Sequence, residues 1–331
     1  MRILIIIAIN ILALSVFGQI NNTHQNIRVG FYNLENYFDY SPDKLKNDTQ
    51  FTPYGDYHWN HKKYDQKTKN IYKVIQNMKC RNCIILLGVC EIENEKVIKH
   101  LLYSTPLNKS KLNYVHYESN DSRGIDVALI YSNEFQPIKT SSFELFDNGV
   151  KIETRNILYV KGIVELDTFH VFINHWTSRY RGVLESEYLR MEFSNLLKSK
   201  VDSLINVNKN ASIIIMGDFN DEPHDISLQN LMKVNALFNM SNNFNSSFVK
   251  GSVKYREDWY IFDQIIVSES LYLNLNGWEV TSRMSIFDPI WILEDDMKYL
   301  GKKPFRTNIG YKYNAGYSDH LPVYIDIINT K

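Results

Sequence analysis

The chain has 331 residues, 44% of them hydrophobic, with only 14 Gly and 8 Pro, so it can bury a large core and is excluded from the disordered and low-complexity classes. Lys plus Arg and Asp plus Glu each number 37, which excludes a strong general field for nucleic acid. Cys80, Cys83 and Cys90 lack the second cysteine pair or histidine cluster that a structural zinc site requires.

Met1-Arg2 is followed by an apolar run over residues 3–17, interrupted only by Asn10 and Ser15, and then by Gly18-Gln19. The run falls short of the ~20 residues that cross a bilayer and fits a signal peptide over residues 1–18, cleaved before Gln19; an uncleaved anchor is the alternative. No later apolar stretch approaches that length, so the expected mature protein is soluble and exported, periplasmic or extracellular, with no stable membrane association once the leader is removed. In an oxidising compartment Cys80 and Cys83 can form a local disulfide, the alternative being buried free thiols. Without repeats, linkers or a break in composition, residues 19–331 read as a single domain, expected to be a monomer.

In chain order, an apolar strand over residues 28–32 leads into Asn33-Leu34-Glu35-Asn36. An amphipathic helix over 65–78 places Ile71, Val74, Ile75 and Met78 on one stripe, and a second strand over 84–89 runs into Cys90-Glu91 before a helix over 92–102. A strand over 125–131 follows Arg123-Gly124, and one over 171–173 ends in Asn174-His175. A long helix over 185–205 carries Leu189, Phe193, Leu196, Leu197, Val201 and Leu204, and the strand over 213–216 runs into Gly217-Asp218-Phe219-Asn220. The last strands span 259–267, with Asp263 in its middle, and 321–327, preceded by Ser318-Asp319-His320. Residues 239–247 and 282–315 have weak periodicity and read as long surface loops. This pattern implies packed sheets with helices outside and a ligand at converging strand ends.

Metal-assisted attack on phosphorus needs carboxylates for a hard cation, a positioner for water, and donors for phosphate oxygens. Glu91, at the mouth of an apolar strand, suits the cation, or else starts the helix behind it. Asp218 and Asn220, two apart, share a face in an extended segment, and Gly217 lets backbone approach a ligand; a simple turn is the alternative. Pro322 keeps His320 out of helical conformation, and a buried Asp263 is a fitting partner to orient its imidazole. His175 is a second candidate imidazole, while Arg179 and Arg190 add charge or form surface ion pairs.

Six segments, Phe31-Tyr32-Asn33-Leu34-Glu35-Asn36, Cys90-Glu91-Ile92-Glu93-Asn94, Arg123-Gly124-Ile125-Asp126-Val127-Ala128, Asn174-His175-Trp176, Gly217-Asp218-Phe219-Asn220-Asp221-Glu222-Pro223 and Gly316-Tyr317-Ser318-Asp319-His320-Leu321-Pro322-Val323, together resemble the endonuclease/exonuclease/phosphatase superfamily. The resemblance implies a four-layer α/β sandwich of two mixed β-sheets flanked by helices, with Mg²⁺ or Mn²⁺ bound at the sheet edge. It makes Glu91 the principal metal ligand, with Asn33, Glu35 and Asp319 around the metal. Asp218 and Asn220 would position water and phosphate, and His320 with Asp263 and His175 would serve the phosphate. Asn174, Trp176, Arg179 and Arg123 are the expected substrate contacts. Two departures stand out: Cys90 replaces the common Gln before the metal-binding Glu, and the first motif reads Asn-Leu-Glu-Asn. The Arg-Gly-Ile-Asp and Asn-His-Trp forms resemble a bacterial endonuclease-like branch and imply DNA or RNA as substrate. The alternatives are lipid head groups or inositol and sugar phosphates, the lipid version lacking an evident exposed hydrophobic hairpin, and a non-catalytic binding protein of the same fold.

Overall fold

Runs of Ile, Val and Leu build two sheets in this computed structural model, which describes residues 26–331 apart from Ser282. The expected leader over residues 1–18 lies outside the described residues. The strands of the two sheets are β1 (Asn26–Tyr37), β2 (Ile84–Ile92), β3 (Leu112–His116), β4 (Asp126–Ser132), β5 (Phe135–Phe143), β6 (Ile157–Val164), β7 (Asp167–His175), β8 (Ser212–Asp218), β9 (Leu237–Asn239), β10 (Phe244–Asn245), β11 (Asp263–Ser268), β12 (Trp278–Val280), β13 (Met284–Ile286) and β14 (Val323–Asn329). The first sheet has the order β10-β13-β14-β1-β2-β4-β3, with β12 also on β14, and the second β9-β11-β8-β7-β6-β5. Both are mixed: β1 and β2 are parallel, as are β7 and β8, while their outer neighbours run antiparallel.

Each of these two central parallel pairs needs a crossover, and a helix supplies it. Helix α1 (His61–Met78) links β1 to β2 and buries Ile71, Val74, Ile75 and Met78 against the first sheet. It starts four residues earlier than the apolar stripe suggests because the Asn60 side chain accepts the Lys63 N–H and caps it. Helix α2 (Glu95–Tyr103) begins only after Asn94, whose side chain accepts the N–H groups of Lys96 and Val97, so Ile92 stays in β2. Helix α3 (Val183–Val207) links β7 to β8 and packs Phe193, Leu197 and Val201 on Ile213 and Ile215. One apolar core lies between the sheets and under α1, and a second lies under α3, giving the expected four layers. Cys80 and Cys83, with Cα atoms 5.7 Å apart, are bridged, which selects the disulfide alternative.

Three expectations are corrected. Residues 259–267 are not one strand: Asp258–Tyr260 pairs with Val253–Tyr255 in a ribbon, and β11 starts afresh at Asp263, placing that residue at the sheet edge rather than mid-strand. Residues 239–247 hold β10 beside the end of β9, and residues 282–315 hold β13 and two more ribbons, Leu293–Asp295 with Lys302–Pro304 and Asn308–Ile309 with Lys312–Tyr313. Strands of two or three residues are too short to leave a periodic signal. The first of these ribbons does present an exposed apolar tip, Met297 and Leu300.

Glu93 ties the end of β2 to the segment after β1, its carboxylate accepting the Asp39 N–H at 2.6 Å. Burial pushes its carboxyl up from 4.5 to about 8. The folded chain therefore holds a proton that the unfolded chain has lost between those values, and this group's contribution to stability falls as pH rises through that window. Glu93→Gln keeps an acceptor oxygen for Asp39 and removes the titration. Its melting temperature should match that of the unsubstituted protein near pH 4.5 and exceed it by pH 8, a gain of about 2–4 kcal/mol. Parallel melting curves at both pH values would disprove the assignment.

Candidate active site

The two parallel pairs end at the same edge, where their antiparallel neighbours begin. Asn33 lies opposite Cys90 in the first sheet and His175 opposite Asp218 in the second. β11 starts at Asp263 opposite Asp218, and β14 starts opposite Phe31 just after Asp319 and His320. Ser318 Oγ donates to the Asn33 carbonyl at 2.7 Å and joins the last motif to the first. Here the backbone leaves the extended region: Glu35, Asn36, Glu91 and Asn220 have φ of 50, 53, 59 and 52°. Such left-handed residues are costly outside glycine and re-aim side chains that simple alternation would misplace. Asp218 and Asn220 therefore do not share a face of an extended segment.

Glu91 is held by two donors, the Asn36 N–H at 2.8 Å and Asn33 Nδ2 at 3.3 Å, and its side chain stays 18% exposed towards the cleft. Asn33 Nδ2 also donates to Asp218 Oδ2 at 3.0 Å, while its Oδ1 accepts the Glu35 N–H at 2.9 Å. Asn33 thus bridges two carboxylates rather than offering oxygen to a cation. Glu35 is corrected likewise: its buried carboxylate accepts the N–H groups of Thr307 at 2.6 Å and Asn308 at 3.2 Å and anchors that loop. Burial and then the Asp319 charge push it up to about 7.

Asp319 pairs with Arg306 at 2.7 Å; burial pushes its carboxyl up, but Arg306, His320 and Lys67 together overcome burial and hold it below its usual range. His320 Nδ1 lies 2.8 Å from Asp263 Oδ2, and its Nε2 lies 3.8 Å from Asp218 Oδ2. Burial alone would lower the His320 pKa; the Asp263 and Asp218 carboxylates overcome it and raise the group well above its ordinary value. Asp218, pushed up to about 7 by burial, accepts the Asn220 N–H at 3.0 Å. His175, 3% exposed, is held well below its ordinary value by burial and then by Arg155 and Arg123, so its imidazole is neutral. Its Nε2 faces Asp218 at 3.7 Å and Glu91 at 3.9 Å.

The expected substrate contacts fare less well. Trp176 is fully buried between Phe193 and Phe219, and its Nε1 donates to Asn174 Oδ1 at 3.2 Å, so neither Trp176 nor the equally buried Asn174 faces the cleft. Arg179 donates to the Asn220 carbonyl and to Asp221 and Asp225, and so fixes the loop after β8. Arg190 is no surface charge: it is buried, with its Nε 2.7 Å from Asp221. Asn220 Nδ2 is spent on the Trp176 carbonyl at 3.1 Å. A Cβ on Gly217 would sit 2.5 Å from the Asn174 carbonyl oxygen, so the glycine serves strand packing rather than ligand approach. Only Arg123, with a side chain 51% exposed, remains at the rim.

Three cations escaped the sequence reading. Buried Arg155 donates to the carbonyls of His175 and Trp176 and to Asp121. Its place just before an apolar strand is the same signal that drew attention to Asp319. Arg306 and the fully buried Lys67, whose Nζ donates to Thr307 Oγ1 and the Tyr317 carbonyl, left none, since one sits in the ribbons and the other in the middle of a helix.

The chain matches the Endonuclease/Exonuclease/phosphatase family over residues 28–329, nearly all of its described length. The chain belongs to this family. Among solved structures, an endonuclease/exonuclease/phosphatase family protein from Bacteroides thetaiotaomicron shares 16% identity at a TM-score of 0.60, covering 92% of this chain and 98% of its own. The mannosyl-6-phosphatase of the same organism shares 16% at 0.58, with 91% and 99% covered. The human Nocturnin catalytic domain with bound sulfate shares 14% at 0.54, with 91% and 94% covered. No curated protein sequence matches the chain. Endonuclease/exonuclease/phosphatase proteins are phosphoesterase hydrolases and typically depend on a divalent metal. The donor set suits one: Glu91 presents a fixed, partly open carboxylate, and hard cations prefer oxygen. Ligand atoms of Asp218, Asp263 and His320, and of Cys90, His175 and Asp218, each gather within 4.8 Å.

Proposed function

We propose that this protein is an exported, divalent-cation-dependent phosphodiesterase whose substrate is DNA or RNA. The arrangement of His320 between Asp263 and Asp218 carries the hydrolytic reading. His320 stays protonated and offers Nε2–H to a phosphoryl oxygen or leaving group. Asp218, its two oxygens aligned by Asn33 and the Asn220 N–H, accepts a proton from the attacking water. Neutral His175 donates to a second phosphate oxygen. Glu91 and Asp319 would hold Mg²⁺ or Mn²⁺, which supplies Lewis-acid neutralisation of the phosphate charge.

The nucleic-acid reading rests on a groove of about 850 Å³ in which Lys44, Lys46 and Lys151 stand beside Asp121 and Glu153. Asp121 ties it to the site, because the same carboxylate holds Arg123 and Arg155, and Arg155 holds the His175 carbonyl. A phosphodiester chain leaving His175 would pass these cations. The lipid reading is favoured by one feature, the exposed Met297 and Leu300 tip two residues beyond whose ribbon Arg306 lies.

Purified protein should cleave plasmid DNA or RNA with Mg²⁺ and not with chelator, and cleave sphingomyelin and inositol phosphates poorly. Lys44→Ala with Lys151→Ala should lessen the slope of log activity against log salt by about 1–2 and spare a small nitrophenyl phosphodiester. Chelator-insensitive turnover sinks the mechanism, and cleavage of lipid or sugar phosphates alone sinks the nuclease assignment.

A further inference from the structure

Cys90 stands directly before Glu91, and the hydrolytic arrangement makes no use of it. On β2 its side chain shares the inner face with Gly88, which meets Met216 of β8 across the sheets. Cys90 therefore points to the end of β8 and β7, where Asp218 and His175 lie, and one ligand atom from each of the three falls within 4.8 Å of the others. All three are buried.

The imidazole of His175 supplies an independent sign that a ligand belongs here. Its Nδ1 is buried without a hydrogen-bond partner, and the carboxylates nearest Nε2, at 3.7 and 3.9 Å, are too far for a hydrogen bond. Buried polar atoms in native proteins are rarely left so. A substrate phosphate accounts for one ring nitrogen and leaves the thiol unexplained.

We propose that Cys90, His175 and Asp218 form a binding site for Zn²⁺ that excludes catalysis. A thiolate, an imidazole and a carboxylate are a donor set for a borderline-soft tetrahedral ion. Mg²⁺ has no use for the sulfur, so the two cations prefer different parts of one cleft. On binding, the Cys90 thiol proton passes to solvent and bonds form from zinc to Sγ, an imidazole nitrogen and a carboxylate oxygen, with no change in oxidation state. The side chains close by roughly an ångström to reach ligand distances of about 2.0–2.3 Å. His175 and Asp218 are then both withdrawn from the phosphate, so bound Zn²⁺ inhibits Mg²⁺-supported turnover.

Cobalt(II) reports such a site without any substrate, so the outcome is separable from that of the hydrolase assignment. The full chain, with its Cys80–Cys83 bridge intact and no added reductant, should bind Co²⁺ with a thiolate charge-transfer band and tetrahedral visible bands, both erased by Zn²⁺. Cys90→Ala should abolish the charge-transfer band and weaken Zn²⁺ binding by calorimetry at least about tenfold. Cys90→Ser, nearest in size, serves as the second variant should the alanine protein fail to fold. An octahedral cobalt spectrum without charge transfer overturns the proposal, as does a band that survives in either folded variant.

Discussion

Asp263→Asn is expected to lower kcat by about 10³–10⁴ with little change in KM, the scale seen when a carboxylate that orients a catalytic imidazole is neutralised. Asp263 is fully buried, and its Oδ2 holds His320 Nδ1 at 2.8 Å. Its other oxygen has no partner, so its charge is compensated chiefly through the imidazole. Asparagine keeps the shape but cannot sustain an imidazolium. Because burial pulls the His320 pKa down and Asp263 is the largest influence raising it, the variant should also shift the alkaline limb of the kcat profile towards acid. A merely structural aspartate would leave that limb in place. His320→Ala should differ: it strands a buried carboxylate and costs about 3–5 kcal/mol of stability as well as activity. A kcat within tenfold of the unsubstituted protein and an unmoved profile would remove His320 from the proposed chemistry.

The sequence disclosed which strand ends meet, because each strand's apolar run breaks abruptly into Asn, Glu, His or Asp, and burial of a sheet leaves such residues nowhere to go but its edge. Glu91, Asp218 and His175 were legible on that ground, and His320 from its place just before the last strand. What those residues do at the edge was less so. Alternation predicts side-chain direction only while backbone is extended, and Glu35, Asn36, Glu91 and Asn220 all depart from it. Glu35, which the family resemblance set around the metal, instead anchors Thr307. Trp176 and Asn174 flank His175, yet Trp176, one step past the strand end, turns into the core under α3, and Asn174, one step before it, is buried against the Met216 carbonyl and the Trp176 indole. Arg306 and Lys67 were invisible because their roles depend on a contact between α1 and the segment before β14, more than 200 residues apart in sequence.

Glu91→Gln should reduce kcat/KM by at least about 10³ at millimolar Mg²⁺, since the charge it removes is the one the geometry leaves open to a cation. Its amide oxygen can still accept the Asn36 N–H, so the fold should survive and the apo protein should melt at or near the temperature of the unsubstituted one. The separating measurement is the melting shift with Mg²⁺. A native-state ligand at about 100 times its Kd adds about 2.7 kcal/mol, and the variant should lose that increment. Asn33→Ala offers the contrast. Its amide orients Glu91 and Asp218 and accepts the Glu35 N–H without holding the cation, so its loss should weaken Mg²⁺ binding by about 10–100-fold and yield to excess metal, whereas Glu91→Gln should not. If the two variants respond alike to rising Mg²⁺, the cation does not rest on Glu91, and the carboxylates of Asp218 and Asp319 become its holders.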